Sequence, residues 1–137
     1  MTAALHVRHL DGDSFEIDVR GHTLTVDQPL DAGGQDTGPT PTELFVASLA
    51  GCVAFYARRY LARHSLSADG LSVEADFVIG GRPTRVTEIT LRITPPAALP
   101  AGRFDAFLAV ASHCTVHNSL TQPPSITTKL LESVSAG

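Results

Sequence analysis

A chain of 137 residues, 43% of them hydrophobic, is long enough for one globular domain with its own apolar core. Fourteen acidic residues against ten Lys and Arg give a formal net charge of −4, and no basic run is present, which argues against a nucleic-acid-binding function. The N-terminus lacks the basic start and apolar run of a signal peptide, and no charge-free stretch approaches the length of a membrane span. We therefore expect a single cytoplasmic domain over residues 1–137.

The first part of the chain predicts an antiparallel meander of three strands. Asp11-Gly12-Asp13 and Arg20-Gly21 are turn signals of the hairpin type. Apolar residues alternate with acidic ones between these turns, so we expect one face of the middle strand in a core and the other in water. The predicted strands run from Leu5 to Leu10, from Ser14 to Val19 and from Thr23 to Asp27.

A loop rich in glycine and proline leads to a predicted helix. Thr40 is a candidate N-cap, Pro41 suits the first helical position, and Glu43 completes a capping box, so the helix should begin at about Pro41 and run to near Ser65. The stretch 44–57 contains one conventionally polar side chain, Ser48. This pattern predicts a helix that is buried on every side, which a domain of this size rarely achieves alone.

The second half of the chain predicts another hairpin, a second helix and a last strand. Alternating apolar residues run from Leu71 to Ile79 and from Ile89 to Ile93, with a Gly-Gly-Arg-Pro turn between them. Apolar residues from Phe104 to Ala111 follow helical spacing, and Ser125 to Leu131 predicts a strand. Strands that are grouped in hairpins indicate an α+β fold with antiparallel sheets.

Cys52 and Cys114 are the only cysteines in the chain. Cytosolic proteins rarely use disulfides as structural staples, because glutathione and thioredoxin keep ordinary thiols reduced. Redox chemistry is therefore the first hypothesis for this pair. The alternative for Cys52 is a small apolar core residue, since free cysteine is among the most buried residue types.

Cys114 has histidines on both sides, His113 and His117. These residues could bind a metal, could form a Cys-His nucleophile pair, or could be polar residues that close a helix. Because no complete set of four ligands is visible, we predict that the protein carries no stoichiometric zinc.

Three segments together resemble the OsmC/Ohr family of thiol peroxidases. They are GGQDTGPTPTELFVASLAGC, FYARRYLARHSL and HCTVHNSL, and the spacing between the two cysteines is also similar to that of the family. The chain resembles the broader OsmC-like branch more than Ohr itself. The resemblance implies an α+β fold in which two subunits intertwine as a homodimer and pack their long central helices together, with no metal or organic cofactor.

The resemblance also implies a two-cysteine cycle in oxidative stress defence. Cys52 would attack an organic hydroperoxide and become a sulfenic acid, and Cys114 would condense with it to form a disulfide. A small dithiol or a lipoyl-type reductant would restore both thiols. The alternative is a module of the same fold that binds a small ligand, without turnover, in a thiol-lined pocket at the dimer interface.

In the family, an Arg in the first hairpin turn and a Glu at the start of the central helix polarise the peroxide and hold the thiolate. The candidates here are Arg8 or Arg20 for the first role and Glu43 for the second. Glu43 stands nine positions before Cys52, and nine steps of about 100° place it roughly opposite Cys52 on an ideal helix. The capping role therefore explains Glu43 better than a catalytic one.

Overall fold

The computed structural model describes residues 4–132 and has a mixed α+β architecture. A three-stranded antiparallel sheet, in the order β1-β2-β3, precedes the first helix, and a two-stranded antiparallel sheet, β4-β5, follows it. This arrangement confirms the predicted fold class. The elements are β1 Leu5–Asp11, β2 Ser14–Val19, β3 His22–Val26, α1 Pro41–Arg63, β4 Ser72–Gly80, β5 Arg85–Thr94, α2 Phe104–Ser112 and α3 Thr115–Thr121.

Helix α1 begins where the sequence predicts it to begin. The backbone N–H of Glu43 donates to Thr40 Oγ1 at 3.0 Å, and the backbone N–H of Thr40 donates to the Glu43 carboxylate at 2.8 Å. These reciprocal bonds satisfy two N–H groups at the helix start, as a capping box does. The predicted capping role of Glu43 is therefore confirmed.

The loop before α1 is folded around one buried carboxylate, that of Asp27. Asp27 accepts hydrogen bonds from the backbone N–H groups of Gln28, Gln35 and Thr37 and from the Thr37 hydroxyl, at 2.7 to 3.3 Å. A Cβ atom at Gly34 would lie 2.0 Å from the carbonyl oxygen of Gln28, so only glycine fits this close approach. These contacts fix the path of the chain into α1.

The core lies between one side of α1 and the elements that follow it. Helix α2 and the β4-β5 sheet pack against this side of α1. The buried residues of the core cluster are Leu49, Val53, Ala57, Tyr60, Leu61, Leu99, Phe107, Ala111 and Cys114.

The other side of α1 is exposed within the single chain. Phe55 exposes 55% of its surface and Phe45 exposes 40%, and Gly51 is exposed between them. The prediction of a helix buried on every side is therefore not met by one chain alone. By length and hydropathy α1 could also cross a membrane, a property that core helices of globular proteins share.

The sheet β1-β2-β3 also has an apolar face that is not covered. Val7, Ile17 and Leu24 are aligned across the three strands on this face, and Leu5 and Phe15 lie on the same side. Val7 exposes 60% of its surface and Leu24 exposes 47%. Among the described residues, this sheet makes its contacts mainly between its own strands. Monomeric proteins rarely expose large contiguous apolar faces of this kind.

Two predictions for the end of the chain differ from the structure. Residues 115–121 form α3, which sequence analysis did not predict. Residues 123–132 form neither helix nor strand and are exposed, so the predicted strand from Ser125 to Leu131 is wrong for the single chain. The physical reason is that a strand needs a neighbouring edge for its backbone hydrogen bonds, and this segment has none within the described chain.

Candidate functional site

Cys52 lies on one flank of the buried side of α1. Its side chain is half-buried and packs against the core cluster, and it forms no disulfide. Cys52 is therefore partly exposed on this flank of the helix.

Cys114 is fully buried and lies at the junction between α2 and α3. It is the N-cap of α3, and its sulfur accepts a hydrogen bond from the backbone N–H of His117 at 3.4 Å. Burial raises the pKa of the Cys114 thiol above its ordinary value, and interaction with the neighbouring Cys52 thiol raises it further, against the opposing effect of the backbone N–H groups of His117 and Val116. Burial next to Cys52 thus disfavours the thiolate form of Cys114.

The helices that carry the two cysteines are joined by a hydrogen bond between side chains. The hydroxyl groups of Tyr56 and Thr115 are 2.8 Å apart. Tyr56 lies one turn after Cys52 on the same side of α1, and Thr115 directly follows Cys114. Sequence analysis did not single out these two residues, although the spacing of four between Cys52 and Tyr56 already places them on one helix face.

The histidines next to Cys114 do not form a ligand cluster. The Nδ1 atom of His113 is 2.7 Å from the carbonyl oxygen of Ala109, which fixes this nitrogen as the N–H donor. The His113 and His117 rings are 6.1 Å apart between centroids. Within residues 4–132, no group of three His, Cys, Asp or Glu side chains is arranged to hold a metal ion.

The other three predicted site residues lie apart from the cysteines in the single chain. Glu43 is at the start of α1, about 13 Å along the helix axis from Cys52 at 1.5 Å per residue. Arg8 forms an ion pair with Glu16 of the adjacent strand. None of the hydrogen bonds of the described chain joins Glu43 or Arg8 to either cysteine.

Arg20 occupies the tight turn between β2 and β3 and has a positive φ of 50°. Its side chain forms no hydrogen bond with Cys52 or Cys114 within residues 4–132. The same physical reason accounts for the lack of a hydrogen bond from Arg8 or Arg20 to the cysteines. The β1-β2-β3 sheet, which carries both arginines, packs mainly on itself rather than on the α1 of its own chain.

A cavity of about 330 Å³ opens beside α1, on the side of β5 and α2. Its wall is mostly apolar, and His117 and Ser112 are its polar members. Neither cysteine lines the cavity. Its lining residues are Leu49, Val53, Ile89, Leu91, Ile93, Leu108, Ser112 and His117.

Solved structures with the same fold come from several bacteria. A protein from Psychrobacter arcticus 273-4, named for osmotic stress induction and a detoxification response, aligns with a TM-score of 0.78 at 24% identity, over 87% of this chain and 88% of that chain. An OsmC-like protein from Mycoplasma pneumoniae aligns with a TM-score of 0.76 at 16% identity, over 90% and 89% of the two chains. An organic hydroperoxide resistance protein OsmC from Legionella pneumophila aligns with a TM-score of 0.68 at 18% identity, over 88% and 89%.

No curated protein sequence matches the chain significantly. The family model described as OsmC-like protein matches residues 33–129, a region that contains α1 and both cysteines. Because this match covers well over half of the chain and agrees with the fold, the chain belongs to the OsmC-like protein family.

Proposed function

We propose that this chain is a thiol-dependent peroxidase that reduces organic hydroperoxides in oxidative stress defence in the cytoplasm. The observation that carries the proposal is the pairing of two free thiols, one half-buried and one fully buried, on neighbouring helices. Family membership supports it, and relatives of the same fold include organic hydroperoxide resistance proteins.

The proposed cycle starts with Cys52. Its thiolate attacks the terminal oxygen of the hydroperoxide, the O–O bond breaks, and the alkoxide takes up a proton and leaves as the alcohol. Cys52 is thereby oxidised by two electrons to a sulfenic acid. The sulfur of Cys114 then attacks the Cys52 sulfur, a disulfide forms, and the hydroxyl leaves as water. A small dithiol or lipoyl-type reductant is oxidised in exchange and restores both thiols.

The burial of the two cysteines supports this order of events. Cys52 is partly exposed, whereas Cys114 exposes none of its surface. The raised pKa of Cys114 keeps it protonated while the substrate reacts, because thiolates rather than thiols are nucleophiles. We therefore assign the peroxidatic role to Cys52 and the resolving role to Cys114.

A homodimer completes the proposal. The exposed side of α1 and the apolar face of the β1-β2-β3 sheet are two apolar surfaces that the single chain leaves uncovered, and monomeric proteins rarely expose large apolar patches. A second copy of the chain that covers both surfaces in an isologous arrangement accounts for them. We propose that in such a dimer Arg8 or Arg20 of one subunit lies beside the Cys52 of the other subunit and stabilises its thiolate.

A small-ligand binding module remains the second candidate. The observation in its favour is that no cation forms a hydrogen bond with Cys52 within residues 4–132, while burial keeps Cys114 neutral. A thiol pair without an activating charge reacts slowly.

Thiol counting under anaerobic conditions separates the two functions. One equivalent of cumene hydroperoxide should remove both thiols of the wild-type protein and release one equivalent of alcohol. Cys114→Ser should stop at a sulfenic acid that dimedone traps on Cys52, and Cys52→Ser, the matched control, should keep its remaining thiol. Retention of both thiols in the wild type would establish the binding module, and a dimedone adduct on Cys114 would reverse the assigned roles.

A further inference from the structure

We propose that Cys52 and Cys114 form a binding site for trivalent organoarsenicals, in which one arsenic atom bridges the two sulfurs. Capture of this ligand is a second function of the thiol pair, and no hydroperoxide takes part in it. The ligand class is an arsonous acid, in which arsenic carries one methyl or aryl group and two hydroxyl groups. The inference rests on the number of sulfur ligands, on their burial and on the contacts that hold their helices together.

The two thiols are neighbours within the single chain. The Cys52 side chain packs against the core cluster that includes Cys114. Burial is the main cause that raises the pKa of the Cys114 thiol, and a hydrogen bond with the Cys52 thiol adds to it. An arsenic bridge spans a wider gap than the bond between the two sulfurs of a disulfide, so thiols in direct contact can be bridged without a large movement of their helices.

The helices that carry the two thiols are held in a fixed relation. The hydroxyl groups of Tyr56 and Thr115 are 2.8 Å apart and join α1 to α3. The Cζ atom of Arg59 lies 5.7 Å from the centroid of the Tyr56 ring and 5.6 Å from that of the Phe55 ring, within the range of cation–π attraction. Tyr56 is thus held at both its ring and its hydroxyl. A ligand that needs two sulfurs at once binds more tightly when they are already in position.

The number of nearby ligands selects the class of arsenical. Trivalent arsenic forms three bonds, so an arsenic atom with one organic group has room for two sulfurs, whereas arsenite has room for three. Within residues 4–132, no group of three His, Cys, Asp or Glu side chains is arranged to hold an ion. The thiol pair therefore matches an organoarsenical in full. Arsenite would keep one hydroxyl group beside Cys114, which is fully buried.

The charge of the product also suits a buried site. Cys114 exposes none of its surface, and such burial disfavours a charged sulfur. A soft monovalent cation such as Cu(I) between two thiolates would leave a net negative charge there, and structural Zn²⁺ takes four ligands. The bridged organoarsenical is neutral, so burial does not oppose its formation.

Capture is a condensation without a change of oxidation state. The sulfurs of Cys52 and Cys114 replace both hydroxyl groups of the arsonous acid, so two As–O bonds break and two As–S bonds form. The two thiol protons leave with the hydroxyl groups as two molecules of water. Arsenic stays trivalent, neither cysteine is oxidised, and no further reactant is needed.

Titration of the reduced protein with phenylarsonous acid under anaerobic conditions tests the site. Intact mass spectrometry should show one phenylarsenic group per chain, and competition with dimercaptopropanol gives the Kd. Cys52→Ser and Cys114→Ser each keep one thiol, and we expect their Kd to rise about 100-fold or more because the second bond of the chelate is lost. A wild-type Kd equal to that of either variant would overturn the proposal.

Arsenite is the matched control ligand. Dimercaptopropanol leaves the third hydroxyl group of arsenite in water, so exchange of each arsenical between dimercaptopropanol and the protein isolates the effect of the buried site. We expect the equilibrium constant for transfer to the wild-type protein to be about 10-fold lower for arsenite than for phenylarsonous acid. Equal constants for the two arsenicals would refute the proposed ligand class.

X-ray absorption at the arsenic edge tests the bridge in the wild-type protein, without any variant. The spectrum of the bound phenylarsenic group should show two sulfur neighbours and no oxygen neighbour. One sulfur with one oxygen would refute the bridge.

The outcome for this site is separable from that for the peroxidase. Capture by a protein that forms no disulfide with cumene hydroperoxide would support the arsenical site and refute the peroxidase. Disulfide formation without capture would support the peroxidase and refute the arsenical site.

Discussion

Cys52 and Cys114 show how the surroundings of a side chain decide its chemistry. Both are free cysteines on neighbouring helices, yet one is half-buried and the other is fully buried. Removal from water disfavours the charged form of a thiol, and this effect is the largest of those that act on Cys114. The backbone N–H of His117 donates to the sulfur and offsets part of this effect.

The raised pKa of Cys114 predicts slow alkylation in the folded protein. In Cys52→Ser, where burial still acts on Cys114, we expect iodoacetamide to react slowly at about pH 8.5, where an exposed cysteine is substantially ionised. The same protein unfolded in urea should react fast. The protonated Cys114 contributes to the free energy of unfolding at pH values below the pKa that this thiol has in the unfolded chain. The contribution is lost as pH rises through the higher pKa that the thiol has in the folded protein. Equal rates in the folded and unfolded protein would contradict this prediction.

The lowered pKa of Asp27 predicts that the folded protein loses stability as pH falls, whereas the raised pKa of Cys114 predicts a loss as pH rises. The hydrogen bond from the Thr37 hydroxyl is the main cause that lowers the pKa of Asp27 below its ordinary value of 3.8. A carboxyl group with a lowered pKa stabilises the folded protein at pH values above the pKa that it has in the unfolded chain. This stabilisation is lost as pH falls through the pKa that the group has in the folded protein. We expect Asp27→Asn to lower Tm most near neutral pH, with the difference from the wild type shrinking in acid. Asp13→Asn, in an exposed turn, is the control and should leave Tm unchanged at all of these pH values.

At the scale of elements, the site depends on how α1 meets α3. Helix α3 has only seven residues and has Cys114 as its N-cap, so its position relies on contacts with α1. The hydrogen bond between Tyr56 and Thr115 is the polar link between the two helices. It holds the element that carries Cys114 against the element that carries Cys52.

Loss of this link should slow the resolving step. In Tyr56→Phe the ring remains but its hydroxyl is absent, so Cys114 is positioned less firmly against the Cys52 sulfenic acid. We predict disulfide formation several-fold slower than in the wild type, with more dimedone adduct on Cys52 in rapid-quench experiments. Tyr60→Phe removes a hydroxyl from the same helix at a site bonded to Arg103 instead, and its resolving rate should not change. Identical rates in wild type and Tyr56→Phe would exclude this positioning role.

At the scale of the whole molecule, two apolar surfaces are left uncovered by the single chain. One is the exposed side of α1, and the other is the face of the β1-β2-β3 sheet that carries Val7 and Leu24. Burial of apolar surface contributes about 25 cal/mol per Å², so a partner that covers both surfaces gains a large driving force. Residues 123–132, which form no strand in one chain, are also available to pair with an edge of a second chain.

We therefore predict an obligate homodimer. Analytical ultracentrifugation at low micromolar concentration should show a dimer for the wild type, and Val7→Lys should weaken it by placing a charge on the apolar face of the sheet. His6→Lys changes the adjacent residue, whose side chain points to the opposite face of the strand, and should remain dimeric. A stable, folded wild-type monomer would disprove this prediction.

Local features of the fold were predictable because they depend on residues close together in the chain. The capping box joins Thr40 and Glu43, three positions apart, and the turns between strands are marked by glycine. Alternation of apolar and polar residues places the strands of both sheets without any knowledge of what the sheets pack against. The two cysteines were identified by the residues around them and by the resemblance to a family.

What the sequence by itself determined is thus the order of the elements from β1 to α2, the start of α1, the α+β class and the identity of the thiol pair. Only the tertiary structure decided the burial of Cys114, the link from Tyr56 to Thr115 and the position of Arg59 over two rings. It also showed that Arg8 is paired with Glu16 and that the segment 125–131 has no strand partner in its own chain. The physical reason is that burial, pKa and strand pairing depend on which distant segments meet, and local sequence encodes only the contacts of near neighbours.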